Sequence, residues 1–531
     1  MRGIGHAAVR PTLMVRFRSS LQPIDIVLLL GSFVAIRALL WHGLEPLGAF
    51  DEGLLFANAQ LMRDGRVPYR DFYSNYPPGI FQLVRAAIAW STSPIWTMRW
   101  ATAAAHFATA VCAGALAGGG RAKRWSLAAF LCVLVVQADI GLVAYAYTYA
   151  VLLVLVVVLL WPATGSQIIR TVVCALLFGA LSYLRHDMFI YIALPLTLFE
   201  AAWWVRYRRS LLFAEARQLR LFSVVVATTA LCLWLPIVVK AGFYRITHDL
   251  YFDMRDVMAA RVLPIPPMFA MGSVPALALE LPVTLVDPMR FALALSAICI
   301  PAAVFALWKR SRASGWVSTQ TRIAVLCTAC ALATLPQAFG RTDYHHVAFG
   351  VPLVLVAGFR AMSANTARVI SLLSLLLLFA APRPLISAEE VARLWRIDDA
   401  SFITVERKTL VDLILRETKA DDALFIGCTE HRRVIMSVID LHYLAHRSNA
   451  TRYVQFDPGL VTKADKQREM IGELERSRPP LILRYAHCLW DEPNDSRSEG
   501  AGLLDAYLEQ AYRRERRVSA FDVWRRAPSS R

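Results

Sequence analysis

Apolar runs of about 20 residues recur along most of this chain, and each is long enough to cross roughly 30 Å of bilayer hydrocarbon as a helix. The composition agrees, because 57% of the residues are hydrophobic and only 18% are charged. Those proportions lie outside the range of soluble globular proteins. We expect the first run to be retained and not to act as a signal peptide, since no small-residue cleavage site follows it. The sequence therefore predicts a polytopic α-helical membrane protein.

Basic residues gather in short segments between the apolar runs, although the formal net charge of +17 alone would suggest a nucleic-acid partner. The positive-inside rule assigns such segments to the cytoplasm, so we expect no nucleic acid. These segments are residues 2–18, 121–124, 206–220, 309–322 and 360–368.

Placing the basic segments inside predicts eleven membrane spans, a cytoplasmic N-terminus and an outer C-terminus. The spans are expected at residues 24–46, 96–118, 125–142, 146–162, 171–185, 188–205, 221–239, 290–308, 322–339, 346–361 and 367–384. The outer side then receives the loops 47–95 and 241–289. Within the first loop, the apolar residues 80–90 are too short for a full span and are expected to form a juxtamembrane helix. Three prolines, Pro264, Pro266 and Pro267, predict an irregular centre for the second loop. A transmembrane domain thus covers residues 1–387.

Residues 388–531 have the composition of a soluble, extracytoplasmic α/β domain, with helices expected at 404–418, 432–445, 463–476 and 502–512. Strands are expected at 423–427, 452–456, 481–485 and 518–524. We expect this domain to brace the outer loops or to contact an acceptor. Cys428 and Cys488 are its only cysteines, and whether they form a disulfide stays open.

Unusual polar clusters all fall on the predicted outer face. Asp51 and Glu52 follow the first span, and Arg185-His186-Asp187 forms a short outer turn. A third cluster extends from Arg341 through Asp343 to His346. Charged groups near hydrocarbon are costly and usually face a cavity or a partner, so these clusters indicate a functional site. Tyr145 and Tyr147, by contrast, are expected to belong to an interfacial aromatic belt.

The segment beginning Phe50-Asp51-Glu52-Gly53 and ending Pro77-Pro78-Gly79 resembles the first outer loop of the GT-C superfamily. It is most similar to glycosyltransferase family 39, which includes protein mannosyltransferases and the aminoarabinose transferase acting on lipid A. The resemblance covers about the first 90 residues closely and the rest only as architecture. It implies a GT-C-like fold and a polyprenyl-phosphate sugar donor. It also implies a glycan or glycolipid acceptor, with Asp51 as the catalytic base and Glu52 orienting the acceptor or holding Asp51.

One position departs from that family, because Tyr76 stands where the family has the lysine of Lys-Pro-Pro that contacts the lipid phosphate. The phosphate contact must then come from another cation. Arg185 and Arg341 are the main candidates, since an arginine fork suits phosphate oxygens. The substrate-binding candidates are Tyr76, Arg185, Asp187, Arg341, Asp343, His345 and His346, with Arg70 and Asp71 as weaker ones. Arg37 is weaker still, because it can snorkel to the surface.

These residues predict an inverting sugar transfer in a bacterial inner membrane. A metal held by Asp51, Asp343, His345 and His346 is a disfavoured alternative, since one metal rarely binds adjacent histidines. Other interpretations stay open: a flippase or transporter of lipid-linked sugar, or a non-catalytic partner of a transferase. In a flippase or transporter, the same basic turns would bind lipid head groups. A purely structural interpretation also stays open, in which the carboxylates at 51 and 52 cap a helix and the arginine turns are ion pairs.

Overall fold

The computed structural model describes residues 22–118, 123–161, 167–207, 213–263, 265, 287–314, 319–380, 384–394, 398–434, 437–488 and 500–527. Helices dominate the chain up to residue 380. They are α1 (Pro23–Trp41), α2 (Asp51–Arg63), α3 (Gly79–Trp90), α4 (Pro94–Gly118), α5 (Lys123–Ala138), α6 (Ala146–Leu160), α7 (Ile168–Leu184), α8 (His186–Tyr207), α9 (Phe213–Ala241), α10 (Phe243–Thr247), α11 (Met254–Arg261), α12 (Pro288–Ser314), α13 (Thr319–Leu332), α14 (Leu335–Gly340), α15 (Tyr344–Ala348), α16 (Val351–Ala361) and α17 (Ala364–Ala380).

Every predicted span overlaps one of these helices. Five described helices are long and apolar enough to cross a membrane by length and composition, and other apolar helices are shorter. The chain therefore has several apolar helices of a multi-pass membrane protein, while the number of crossings stays a prediction. The prolines Pro264, Pro266 and Pro267 lie outside the described residues.

Helix α5 lies at the centre of the helical bundle. Residues 131–138 are buried without interruption, and α1, α4, α16 and α17 all pack against this helix. Burying apolar side chains from five helices in one cluster gives the bundle a rigid centre.

The loop 47–95 contains the helices α2 and α3, which pack against each other. The predicted juxtamembrane helix at 80–90 coincides with α3. Further along the chain, residues 243–261 form α10, a π-helical turn over His248–Asp253, and α11. Both segments lie beside the C-terminal region.

That region contains α18 (Ala388–Leu394), α19 (Val405–Glu417), α20 (Asp440–Leu444), α21 (Ala464–Ser477) and α22 (Leu503–Ala511). Its strands are β1 (Phe425–Cys428), β2 (Leu481–Tyr485), β3 (Tyr512–Val518) and β4 (Phe521–Arg526). They form one sheet in the order β1-β2-β4-β3, in which β1 and β2 are parallel and the other pairs antiparallel. The Cys428–Cys488 disulfide is formed and joins the end of β1 to the residues after β2.

Two of the expected elements in this region are wrong. Residues 452–456 form no strand, because Arg452 turns toward the loop 241–263 and donates to Asp249 at 2.7 Å. Of the helix expected at 432–445, the described residues are helical only in α20. Strand β3 was not predicted. Most of its residues are charged, so its sequence lacks the apolar alternation of a buried strand.

Ion pairs join the C-terminal region to residues 249–261. Asp249 pairs with Arg452 and Asp253 with Lys466, each at 2.7 Å, and Arg261 pairs with Asp457 at 2.6 Å. Burial raises the pKa of Asp249 to about 6, against the opposing effect of Arg452. The two segments therefore form a continuous polar contact beside the candidate site.

Candidate active site

Three consecutive residues at the start of α2 each contact a different part of the protein. Asp51 accepts a hydrogen bond from Tyr145, and Glu52 pairs with Arg99 of α4. Gly53 packs against α20, where an added β-carbon would lie 2.7 Å from the Asp440 amide nitrogen. A glycine is therefore required for this close approach. The helix is capped by Phe50 without a side-chain hydrogen bond, so neither carboxylate serves as its N-cap.

Glu52 is held in a buried ion pair. Its two oxygens accept from Arg99 Nε at 2.9 Å and Nη2 at 2.8 Å, and the Gly48 amide also donates to Oε2 at 2.9 Å. Arg99 in addition donates to the Pro46 carbonyl oxygen at 3.0 Å and lies 4.5 Å from the Phe402 ring centroid. The pair thus fixes the loop that leads into Asp51.

Asp51 is partly exposed, and Tyr145 Oη donates to its Oδ2 at 2.9 Å. Burial, followed by the charge of Asp51, raises the pKa of Tyr145, so this phenol remains a donor at neutral pH. The Tyr145 ring lies 5.5 Å from that of His345. Burial lowers the pKa of His345, although Asp343 and Asp51 oppose the shift. The rings of Tyr145 and His345, on this side of Asp51, are therefore uncharged at neutral pH.

The charges of Asp51 and Arg185 both act on the Tyr76 phenol. Enclosure by protein, followed by the charge of Asp51, raises the pKa of Tyr76 to about 12, and Arg185 acts in the opposite direction. The following Pro77-Pro78-Gly79 brings α3 against the end of α7, where a β-carbon at Gly79 would lie 2.6 Å from the Tyr183 carbonyl oxygen. This contact places Tyr76 beside the α7–α8 turn.

Arg185 and Asp187 form a bidentate ion pair in that turn. Arg185 Nε donates to Oδ1 at 2.8 Å and Nη2 donates to Oδ2, while Nη2 also lies 3.3 Å from Gln337 Oε1. The guanidinium stacks 4.9 Å from the centroid of the Tyr147 ring. Tyr147 is 2% exposed, so the aromatic-belt interpretation is wrong for this residue.

A cavity of about 420 Å³ opens in front of Arg185. The outer-loop residues Asn75, Tyr76 and Pro77 form one wall. The other walls come from the α7–α8 turn, residues 250–258, Pro336-Gln337 and His346. Two arginines, Arg185 and Arg255, line it against one carboxylate, Asp187, so its lining favours an anion. Asp51 is not among the residues that line this cavity.

The third polar cluster, Arg341 to His346, is held by hydrogen bonds among its own residues and to the loop 241–263. Arg341 donates to Asp343 at 2.7 Å and to the Arg261 carbonyl oxygen at 3.1 Å. Asp343 also accepts from His346 Nδ1 at 2.7 Å. Burial alone would raise the pKa of Asp343, but His346 and then Arg341 hold it well below its usual range. His346 reaches the cavity that Arg185 lines, whereas Arg341 is not among its lining residues.

Arg70 and Asp71 pair with each other away from that cavity. Arg70 donates to both oxygens of Asp71, at 2.9 and 2.8 Å, and its side chain is about half exposed. Asp71 lines a different cavity of about 360 Å³ between the outer loop and the C-terminal region. The structure therefore separates this pair from the other candidates.

Two contacts of the site were not predicted from the sequence: the ion pair of Arg99 with Glu52 and the hydrogen bond of Tyr145 to Asp51. Arg99 lies inside a predicted span, and a cation at such a position usually has a specific partner. The position of Arg99 within an apolar span was sufficient to predict that a carboxylate pairs with it. Nothing in the sequence indicates that Tyr145 meets Asp51, because 94 residues separate them.

Within the described part of the chain, His248, Asp249 and Asp253 form the one group of potential metal ligands that lie within 4.8 Å of one another. Arg452 and Lys466 already donate to the two carboxylates. These cations compensate the acidic charge that would otherwise attract a metal. Asp343, one of the four metal ligands considered from the sequence, is likewise paired with a cation, Arg341.

Neither a protein-family model nor a curated protein sequence matches this chain. ArnT from Cupriavidus metallidurans bound to undecaprenyl phosphate aligns with a TM-score of 0.51 at 12% identity, covering 95% of this chain and 98% of ArnT. The apo oligosaccharyltransferase of Archaeoglobus fulgidus aligns with a TM-score of 0.49 at 12% identity, covering 87% of this chain and 69% of that one.

The chain thus shares its fold with ArnT, and the predicted resemblance is confirmed at the level of fold alone. Among the solved structures that match, ArnT is similar along nearly its whole length.

Proposed function

We propose that this chain is a GT-C-type glycosyltransferase that moves a sugar from a polyprenyl-phosphate carrier to an extracytoplasmic lipid, polysaccharide or lipopolysaccharide. The carrying observation is the cavity in which the Arg185–Asp187 turn meets Tyr76, a residue on which the charge of Asp51 acts. The ArnT-like fold supports it, because that ArnT structure is bound to undecaprenyl phosphate. The donor and the acceptor are both part of the proposal.

In this reaction Asp51 accepts the proton of an acceptor hydroxyl. The hydroxyl oxygen attacks the anomeric carbon, and the bond between that carbon and the phosphate oxygen breaks. The phosphate leaves with the electron pair and is stabilised by Arg185, whose donor fork suits phosphate oxygens. A single displacement inverts the anomeric carbon. Tyr145 holds one Asp51 oxygen and leaves the other for the acceptor.

We place the site on the outer side of a bacterial inner membrane, with the C-terminal domain of residues 388–531 beside it. The formed disulfide in that region supports an oxidising compartment. A transporter is less well supported, because transporters usually carry polar sites at mid-membrane between broken helices. Here Asp51, Arg185 and Asp343 all follow or precede helix ends.

Mass spectrometry of a strain that lacks this protein tests the proposal. We expect polyprenyl-phosphate sugar to accumulate and one envelope glycan to lose a sugar. The purified protein in liposomes should then transfer that sugar from the accumulated lipid to the truncated glycan. Accumulation without transfer by the purified protein would favour the flippase or partner alternatives instead.

Arg185 should contribute to donor binding and turnover. We expect Arg185→Ala to lower transfer efficiency by about 10- to 150-fold, as losing a charge-assisted contact of about 1.5–3 kcal/mol implies. Arg185→Lys should recover only part, because an ammonium lacks the fork. Steady-state kinetics with varied donor measure both.

Arg514→Ala, in an exposed pair with Asp522, is the matched control for losing a paired arginine. Arg341→Ala and Arg70→Ala test the rival phosphate contacts. If Arg341→Ala or Arg70→Ala loses more donor affinity than Arg185→Ala does, then that arginine, and not Arg185, contacts the phosphate.

The orientation gives another prediction. A cysteine at exposed Lys419, in the C-terminal region, should react with an impermeant thiol reagent in spheroplasts. A cysteine at exposed Ser363, between α16 and α17, should react only after lysis, since it neighbours the basic residues Arg360 and Arg368. Wild-type protein gives the background from its native cysteines. The reverse labelling pattern would contradict an outer active site.

A further inference from the structure

A second cavity lies at the opposite end of the bundle from Asp51. It has a volume of about 370 Å³ and is lined by the first two turns of α1 and α5 and by residues 367–375 of α17. Helix α1 has 19 residues, so its start and its Asp51-proximal end are about 28 Å apart. The cavity therefore belongs to neither the donor site nor the loop 47–95.

Two arginines line this cavity. Arg124 comes from α5 and Arg368 from α17. The nearest carboxylate to Arg124 is the buried Asp25, whose Oδ1 lies 3.8 Å from Nε, and Arg368 donates to Asn365 Oδ1 at 3.2 Å. Among the residues that the structure describes, neither guanidinium has a hydrogen-bonded carboxylate. The described lining thus carries two positive charges, and one carboxylate, Asp25, lies near the first of them.

The rest of the described lining is apolar except for Ser371. Leu28 of α1 and Leu372 and Leu375 of α17 form a continuous wall with Ala128 of α5. The lining of α17 extends from Ala367 to Leu375, about 12 Å at 1.5 Å per residue. Leu372 is 56% exposed, so the slot is open along the surface that these apolar helices present to lipid.

We infer that this slot binds one anionic phospholipid, with its phosphate on Arg124 and Arg368 and an acyl chain along α17. The charge distribution predicts that this end is cytoplasmic, and anionic headgroups are attracted to juxtamembrane basic residues on that side. Trp125 also lines the cavity, and an indole can contact both a headgroup and an acyl chain at a membrane interface. An apolar slot ending in two cations matches a phospholipid in both charge and shape.

The test is native mass spectrometry of the full chain in detergent, with added phosphatidylglycerol or phosphatidylcholine of identical acyl chains. We expect roughly 30-fold preference for phosphatidylglycerol, the effect of two basic residues near an anionic headgroup. Arg124→Ala with Arg368→Ala should remove the preference, and Arg124→Lys with Arg368→Lys should retain most of it. Leu372→Trp, which leaves both arginines in place, should weaken retention of both lipids by filling the slot.

Arg217→Ala with Arg220→Ala is the matched control. These two exposed arginines lie on α9, within another basic segment and outside the slot. If this control removes the preference equally, the attraction is general to the basic face and no defined site exists. Equal retention of the two lipids by the wild-type protein would also overturn the inference, whether or not sugar transfer is established.

Discussion

Replacing Asp51 with asparagine should lower sugar transfer by about 10²- to 10⁴-fold, the usual contribution of a general base. Asparagine keeps the shape of the side chain and can still accept the hydrogen bond that Tyr145 donates at 2.9 Å. It cannot take a proton from the acceptor hydroxyl. The loss should therefore appear in the rate of turnover and leave donor affinity and folding nearly unchanged.

Asp64→Asn is the matched control, because Asp64 lies just beyond the other end of α2 and is exposed. Complementing the deletion strain with each variant gives the cellular measurement, and liposomes give the rate. We expect Asp64→Asn to restore the glycan and Asp51→Asn to leave it truncated. Near-normal turnover by Asp51→Asn would exclude this carboxylate as the base.

The pattern of apolar runs and basic segments was enough to predict where the long helices lie, because bilayer thickness limits their length. The helix at 80–90 was predicted from its apolar residues and its short length. The contacts of the two motif glycines were not predicted. Gly53 and Gly79 permit close backbone approaches, to Asp440 and Tyr183 respectively. A single sequence marks such glycines as unusual, yet it does not reveal which backbone they meet.

The partners of the polar residues could not be predicted in the same way. Arg99 meets Glu52 across 47 residues and Arg452 meets Asp249 across 203. Local periodicity carries no information about contacts at such separations. The extended segment around Arg452 was therefore mistaken for a strand, although its polar groups are used in contacts with residues 69–73 and 249. Local pairs such as Arg185–Asp187 were predictable, because adjacent residues of opposite charge share one turn.

The ion pair between Glu52 and Arg99 is the second place where a large effect is expected. Both side chains are nearly inaccessible to solvent, at 4% and 6% exposure. Removing one partner leaves the other charge buried without compensation, which typically costs about 3–5 kcal/mol. We expect Glu52→Gln to lower the unfolding free energy by about that amount, measured by thermal or denaturant unfolding in detergent.

Glu45→Gln is the matched control, since Glu45 lies in the same loop, pairs with His42 at 3.0 Å and is 43% exposed. An exposed pair of this kind contributes about 0–1 kcal/mol, so the control should unfold almost as the wild-type protein does. The double variant Glu52→Met with Arg99→Met should recover much of the lost stability. Apolar replacement of both partners of a buried pair is often nearly neutral.

The same variants separate the two roles considered for Glu52. Its oxygens already accept from Arg99 and the Gly48 amide, which leaves little capacity to bind an acceptor. If Glu52 only positions Asp51, the stable double variant should keep the wild-type KM for the acceptor and change kcat alone. A raised acceptor KM in a variant as stable as the wild-type protein would instead show that Glu52 contacts the acceptor during the reaction.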